Sequence, residues 1–211
     1  MIRIDIPNLD ATVKKLSEPL RDMPKLCDQA VARAINRTLD AMRAEAIRIA
    51  KRAYVYVPPG RLFDQLYLRK AQRGALRGSL HISGERGIGL HHFRPIPKVP
   101  GTKPSGGVSA LVRRGGQRKV YQTPGYSKPF IMPKLRGLDA GGFGVFERKN
   151  GMQHTQATGW KGFRMLFGAS PIQSLQKKEN QQAVADKGGD VFPRRLQHEI
   201  DVQLSKVMRV R

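Results

Sequence analysis

The chain has 211 residues, enough for one substantial hydrophobic core, although only 39% of them are hydrophobic. Its 39 lysines and arginines against 16 aspartates and glutamates give a formal net charge of +23. The single cysteine excludes an internal disulfide, and no run approaches the roughly 18 consecutive apolar residues of a membrane-spanning helix.

The positive charge is concentrated in the middle of the chain. Residues 59–136 hold 16 basic and 2 acidic side chains, a net of +14. A monomer with this charge repels itself, so we expect a polyanionic partner or acidic neighbouring subunits.

The first third of the chain predicts a short strand and then helices. Ile2, Ile4 and Ile6 alternate with polar residues, which is typical of a strand with one apolar face. Apolar side chains then recur every three or four residues from Pro24 to Tyr54, a stretch with no internal glycine or proline. We therefore predict one long helix there, and it must end before Pro58-Pro59-Gly60.

The run from Arg61 to Gly78 is ambiguous. A short helix would place its leucines on one side and a set of cations on another: Arg69, Lys70, Arg73 and Arg77. From Ala75 the pattern becomes strand-like, with a turn over residues 83–87 between two short strands. Residues 95–109 contain four prolines and three glycines, which predicts an extended or mobile loop.

Residues 109–123 predict a hairpin around Gly115-Gly116. Its tip carries four cations: Arg113, Arg114, Arg118 and Lys119. They either form a solvated edge that discourages aggregation or contact phosphate or a neighbouring subunit. Asn150-Gly151 predicts a second hairpin.

The last third of the chain predicts two helices. Pro171 suits the first turn of the earlier helix, and Gly188-Gly189 should end it. A terminal helix with Phe192, Leu196 and Ile200 on its apolar face should follow.

These elements predict an α+β protein, with a long N-terminal helix and C-terminal helices packed on an antiparallel β-sheet drawn from residues 75–158. We expect one domain, 1–211, with extended loops or arms. No histidine or cysteine has metal-ligand spacing, no glycine-rich stretch has the context of a phosphate loop, and no acidic cluster suits two-metal chemistry. We therefore predict no catalytic residue, no metal site and no cofactor.

Four stretches, taken in order, resemble the prophage minor tail protein Z family, the tail completion proteins of long-tailed bacteriophages. They are Ala30–Ala50 with Ala34-Ile35-Asn36-Arg37 at its centre, Lys128–Met132 followed by Val145–Gly151, the helix entry Pro171-Ile172, and the basic-ended helix Arg194–Arg211. The resemblance covers about residues 25–55 and 110–211, while residues 56–108 match nothing in the family.

The resemblance implies a virion protein at the head–tail junction, made in the host bacterial cytoplasm and acting without catalysis or a membrane. It implies a ring with the sixfold symmetry of the tail, a hexamer, around the DNA channel. The implied partners are tail terminator, tail tube or head–tail connector proteins. The end of the packaged double-stranded DNA is a further candidate, held by phosphate contacts that do not read sequence. The alternative is a stand-alone basic nucleic-acid-binding protein.

Overall fold

The computed structural model describes residues 1–55, 64–84, 87–99, 103–133, 143–152 and 162–209. The fold is mixed α+β with antiparallel sheets, as predicted. Its contacts group into two compact units: unit 1 comprises Met1–Ala50, Leu62–Gly84 and Pro171–Arg211, and unit 2 comprises Lys51–Arg61 and Glu85–Ser170. The single domain 1–211 stays a prediction, and each unit is described by itself.

Unit 1 combines long helices with a small sheet. Its elements are β1 (Ile2–Asp5), α1 (Leu9–Leu16), a 3-10 helix (Glu18–Leu20), α2 (Pro24–Ala53), β2 (Leu66–Arg69), β3 (Ser79–Ile82), α3 (Pro171–Leu175) and α4 (Lys178–Arg209). Helix α2 begins at Pro24 as predicted, and its last turn groups with unit 2. The ambiguous run from Arg61 to Gly78 does not form the possible short helix over residues 66–69, which form β2 instead.

The sheet of unit 1 has the order β1-β3-β2, and all its pairs are antiparallel. Because directly paired residues share a face, Ile4, Leu80 and Leu68 lie on one side and Asp5, Ser79 and Arg69 on the other. The apolar face joins a core to which α2 and α4 contribute fully buried side chains: Ile35, Leu39, Met42 and Leu196.

Helix α4 runs through Gly188-Gly189, so the predicted helix end at that point is wrong. The glycines serve close packing: an added Cβ on Gly188 would lie 2.8 Å from Sδ of Met42 in α2, and one on Gly189 would lie 3.2 Å from the ring of Pro7. The helix also tolerates Pro193, which has no N–H to donate within the helix.

Unit 2 contains two further antiparallel sheets. One pairs β4 (Ser109–Ala110) with β5 (Lys119–Val120), and the other has the order β6 (Phe130–Pro133), β7 (Phe143–Arg148), β8 (Phe163–Met165). The prediction of a single sheet is therefore wrong, because the described part of the chain forms three small sheets. Residues 90–92 form a 3-10 helix, although a strand was predicted to follow the 83–87 turn there. The Asn150-Gly151 turn is present, with Gly151 at φ +79, but the strand predicted to follow it falls mostly on residues 153–158, outside the described residues.

The described parts of the predicted loop, 95–99 and 103–109, are tied into unit 2 by backbone hydrogen bonds. Ile96 and Ser109 exchange two such bonds, at 2.9 and 3.0 Å. Val108 is fully buried, and its N–H donates to the carbonyl of Pro129 at 2.9 Å. These bonds attach the two ends of the loop to each other and to the strand entry at Pro129.

Among the described residues, each unit has one buried carboxylate, and an arginine lies beside it. In unit 1, Glu199 of α4 is 2% exposed and lies 2.9 Å from Nη1 of Arg37 on α2. In unit 2, Glu147 of β7 is fully buried, lies 2.8 Å from Nη2 of Arg164 and accepts a 2.9 Å hydrogen bond from the N–H of Thr123. Because an unpaired buried charge is costly, these pairs fix how their elements meet within each unit.

Candidate polyanion-binding cleft

A cleft of about 770 Å³ opens in unit 1 at the end of the polar face of its sheet. Four parts of the chain line it: β1, the end of β2, the loop of residues 70–78 and the start of β3. Its lining is Arg3, Arg69, Lys70, Gln72, Gly74, Ala75, Leu76, Arg77, Gly78 and Ser79. Four of these ten residues carry a positive charge, and none carries a negative one.

Few carboxylates neutralise the cations of the cleft. Arg69, Lys70 and Arg77 are exposed, and none of them makes an ion pair with a carboxylate among the described residues. Arg3 uses Nε to bind Asp5 Oδ1 at 2.9 Å. The bond orients that guanidinium and leaves its two terminal nitrogens available to a ligand. The cleft is therefore a site of concentrated positive potential that an anion would relieve.

Helix α2 holds the loop that forms the cleft. The side chain of Asn36 donates from Nδ2 to the carbonyl of Ala71 at 3.0 Å and accepts at Oδ1 from the N–H of Ala71 at 2.8 Å. At the other end of the loop, Gly78 lies so close to α2 that an added Cβ would be 2.7 Å from Cδ1 of Leu39. Both ends of the loop are thus held against α2, an arrangement that favours a preformed cleft.

The tip of the loop is a tight turn. Gln72 and Ala75 exchange backbone hydrogen bonds at 3.1 and 3.0 Å, and Gly74 between them has φ +77, which favours glycine. Arg73 is exposed on this turn but does not line the cleft. It therefore lies where it could meet a ligand that extends beyond the cleft.

Ser79 provides a neutral polar group in the lining. It is 2% exposed, and its hydroxyl lies 2.8 Å from Nε2 of His81, two residues along the same strand face. His81 also stacks on Tyr67, with ring centroids 4.9 Å apart. A serine beside a histidine resembles part of a hydrolytic triad, but Nδ1 of His81 has no hydrogen-bond partner among the described residues, so no carboxylate orients the imidazole.

The cations of the predicted hairpin are placed differently. All four are exposed, but Arg114 donates from Nε to the carbonyl of Lys51 at 2.9 Å, and its N–H donates to the carbonyl of Ala53 at 3.1 Å. Arg118 donates from Nη1 to the carbonyl of Arg94. Two of the three guanidinium groups thus bind main-chain carbonyls, while the exposed side chains of Arg113 and Lys119 make no such bond among the described residues.

The structure brings together three of the eight candidate residues, Arg69, Lys70 and Arg77, in one cleft. Arg3 and Ser79 also line the cleft, but the sequence did not predict them as site residues. No local pattern shows that β3 lies between β1 and β2 in the sheet. The alternation of Arg3 with Ile2 and Ile4 does place this arginine on the polar face, so its exposure was predictable although its neighbours were not.

Within the described residues there is no group of three or more side chains that could hold a metal ion. No described helix combines the length and hydropathy needed to cross a membrane. Comparisons with protein-family models, with curated proteins and with solved structures found no match to this chain.

Proposed function

We propose that this protein is a structural component of a long-tailed bacteriophage virion, which completes the tail at the head–tail junction as part of a ring around the DNA channel. It acts without catalysis, and its basic cleft holds a polyanion. Its further partners are copies of itself, in a ring for which we propose six subunits, and tail terminator, tail tube or head–tail connector proteins. It is made in the host cytoplasm and becomes part of the particle.

The observation that carries this proposal is the uncompensated charge of the cleft. A chain with a net charge of +23 that keeps Arg69, Lys70 and Arg77 without described carboxylate partners is suited to a permanently anionic neighbour. DNA passing through a ring supplies such a neighbour, and contacts to its phosphates do not depend on sequence.

The arrangement of the four resembling stretches supports the same proposal. Arg37 in the first stretch pairs with Glu199 in the last, and Lys128–Met132 contributes the strand that pairs with Val145–Gly151. Asn36, from the centre of the first stretch, holds the loop that lines the cleft. Residues of the resemblance thus join α2 to α4, pair β6 with β7 and hold the loop of the candidate site.

Deletion of the gene from a phage or prophage that carries it tests the proposal. We expect filled heads and separate tails in electron micrographs of the lysate, with joining restored by a plasmid copy of the gene. Infectious particles at the normal yield without the gene would refute the proposal.

The alternative, a stand-alone nucleic-acid-binding protein, is favoured by the same cleft, because its cations suit any nucleic-acid backbone. The two candidates differ in where the protein is found. Quantitative mass spectrometry of purified particles should detect a small fixed number of copies per virion if the protein is structural, and none if it acts alone in the cell.

A further inference from the structure

We propose that the cleft of unit 1 binds the phosphate groups of a single sugar–phosphate strand, and that Arg3 and Ser79 contact this strand together with Arg69, Lys70 and Arg77. The inference rests on the proposed function, because it names the ligand of the same cleft. It assigns the nucleic-acid contact to this cleft and not to the hairpin of residues 109–123.

The types of donor in the cleft point to a ligand that only accepts hydrogen bonds. The side chains of arginine and lysine are donors without acceptors, and four of them line the cleft. A sugar–phosphate strand of DNA presents phosphate oxygens at every step and no backbone donor. An acidic peptide would bring one N–H per residue, and among the lining side chains only Gln72 and Ser79 have an oxygen that could accept from it.

Ser79 adds a directed donor to this set. Because Nδ1 of His81 is buried and has no acceptor among the described residues, we place the imidazole proton on Nε2. His81 then donates to the oxygen of Ser79, and the hydroxyl hydrogen of Ser79 remains free to donate to a phosphate oxygen. The contact is neutral, so it should strengthen binding without changing its dependence on salt.

The size and composition of the cleft favour one strand bound by its backbone. A volume of about 770 Å³ is within the range of small-ligand sites. The major groove that separates the two strands of a duplex is already about 12 Å wide, so both strands would not enter together. No aromatic side chain is part of the cleft lining, so bases have no surface on which to stack.

The test compares two triple variants of the full-length protein that remove the same charge. The cleft variant is Arg69→Gln, Lys70→Gln and Arg77→Gln. The control is Lys14→Gln, Lys15→Gln and Lys25→Gln, whose lysines are exposed, also belong to unit 1 and do not line the cleft. Binding of a fluorescent 20-nucleotide oligo-dT is measured by anisotropy over a series of salt concentrations, and thermal unfolding by circular dichroism checks that each variant is folded.

We expect the slope of log K against log salt to decrease by about 2 in the cleft variant, since each phosphate contact on a single strand contributes about 0.7. The control should keep the wild-type slope. Ser79→Ala should bind oligo-dT several-fold more weakly with the slope unchanged. Equal slope losses in the two triple variants would overturn the proposal, because they would indicate diffuse attraction to the whole surface.

Competition separates nucleic acid from an acidic protein partner. With concentrations counted per negative charge, unlabelled oligo-dT should displace the probe at a lower concentration than poly-L-glutamate. This difference should disappear in the cleft variant. Stronger displacement by poly-L-glutamate would overturn the proposal and make the cleft an acidic-peptide site. Absence of the protein from phage particles would refute the virion role alone, since binding of oligo-dT to the cleft does not depend on it.

Discussion

Asn36 and Ala71 are joined by a pair of hydrogen bonds that bridges 35 residues of sequence, with the side-chain amide donating at 3.0 Å and accepting at 2.8 Å. Ala71 is 4% exposed, so little water can reach its two backbone groups. The pair makes α2 the support on which the basic loop is built. A residue at the centre of the strongest resembling stretch therefore acts on the candidate site through the main chain.

The substitution Asn36→Ala should lower the free energy of unfolding by about 1–3 kcal/mol, because it leaves both backbone groups of Ala71 buried without partners. Urea unfolding followed by circular dichroism measures the loss. Arg33→Ala is the control on the same helix, since Arg33 is exposed, and it should change stability by no more than about 0.5 kcal/mol. Equal stability of the two variants would contradict the supporting role of Asn36.

The substitution Gly78→Ala should destabilise the protein by about 1–3 kcal/mol through overpacking. Its Cβ would lie 2.7 Å from Leu39, 2.9 Å from Ile35 and 3.0 Å from the carbonyl of Arg69, and the last of these is main chain that cannot rotate away. Gly106→Ala is the matched control, because nothing lies within 4 Å of its added Cβ. Unfolding midpoints that fall equally in both variants would show that the close approach of Gly78 to α2 is unimportant.

The pair of Arg37 and Glu199 should show strong coupling. Arg37→Ala leaves a carboxylate that is 2% exposed without its partner, and because Arg37 itself is half-exposed we expect a cost of about 1–3 kcal/mol, below that of a fully buried pair. Combining it with Glu199→Gln, which removes the buried charge, should recover part of the loss. A double-mutant cycle in which the two costs simply add would contradict the coupling.

In the hairpin, Arg114→Ala should cost about 0.5–1.5 kcal/mol, because it removes the bond to the carbonyl of Lys51 near the end of α2. Arg113→Ala should change stability little, since its exposed side chain makes no hydrogen bond or ion pair among the described residues. Replacing all four hairpin cations by serine should therefore lower the free energy of unfolding. If the four were surface charges without bonds, the same replacement would leave it nearly unchanged. Thermal unfolding of the single and quadruple variants decides between these roles.

Sequence periodicity was sufficient for elements whose signals are local. The bounds of α2 follow from an apolar repeat without glycine or proline, and β1 follows from the alternation of Ile2, Ile4 and Ile6. Strand β2 was missed because Leu66 and Leu68 lie in a run whose other leucines also fit a helix. Gly188-Gly189 was misread as a helix end because glycine has two roles, and only the position of Met42 reveals that close packing is the relevant one.

The positive charge of the candidate site could be predicted from the sequence, but the full set of residues that line it could not. The cations Arg69, Lys70 and Arg77 stand out by charge alone, whereas Arg3 joins them only because β3 pairs with both β1 and β2. Such long-range pairing leaves no local signal. The use of Arg114 and Arg118 to bind carbonyls was likewise invisible, because an arginine on a hairpin has the same sequence signature whether it is free or bonded.

The account is tested most directly by a cryo-EM map of intact phage particles that carry this protein. We expect a symmetric ring of this chain between the head connector and the tail tube, with the cleft lined by Arg69, Lys70 and Arg77 turned toward the DNA. A complete head–tail junction in which no density fits this chain would contradict the proposed function.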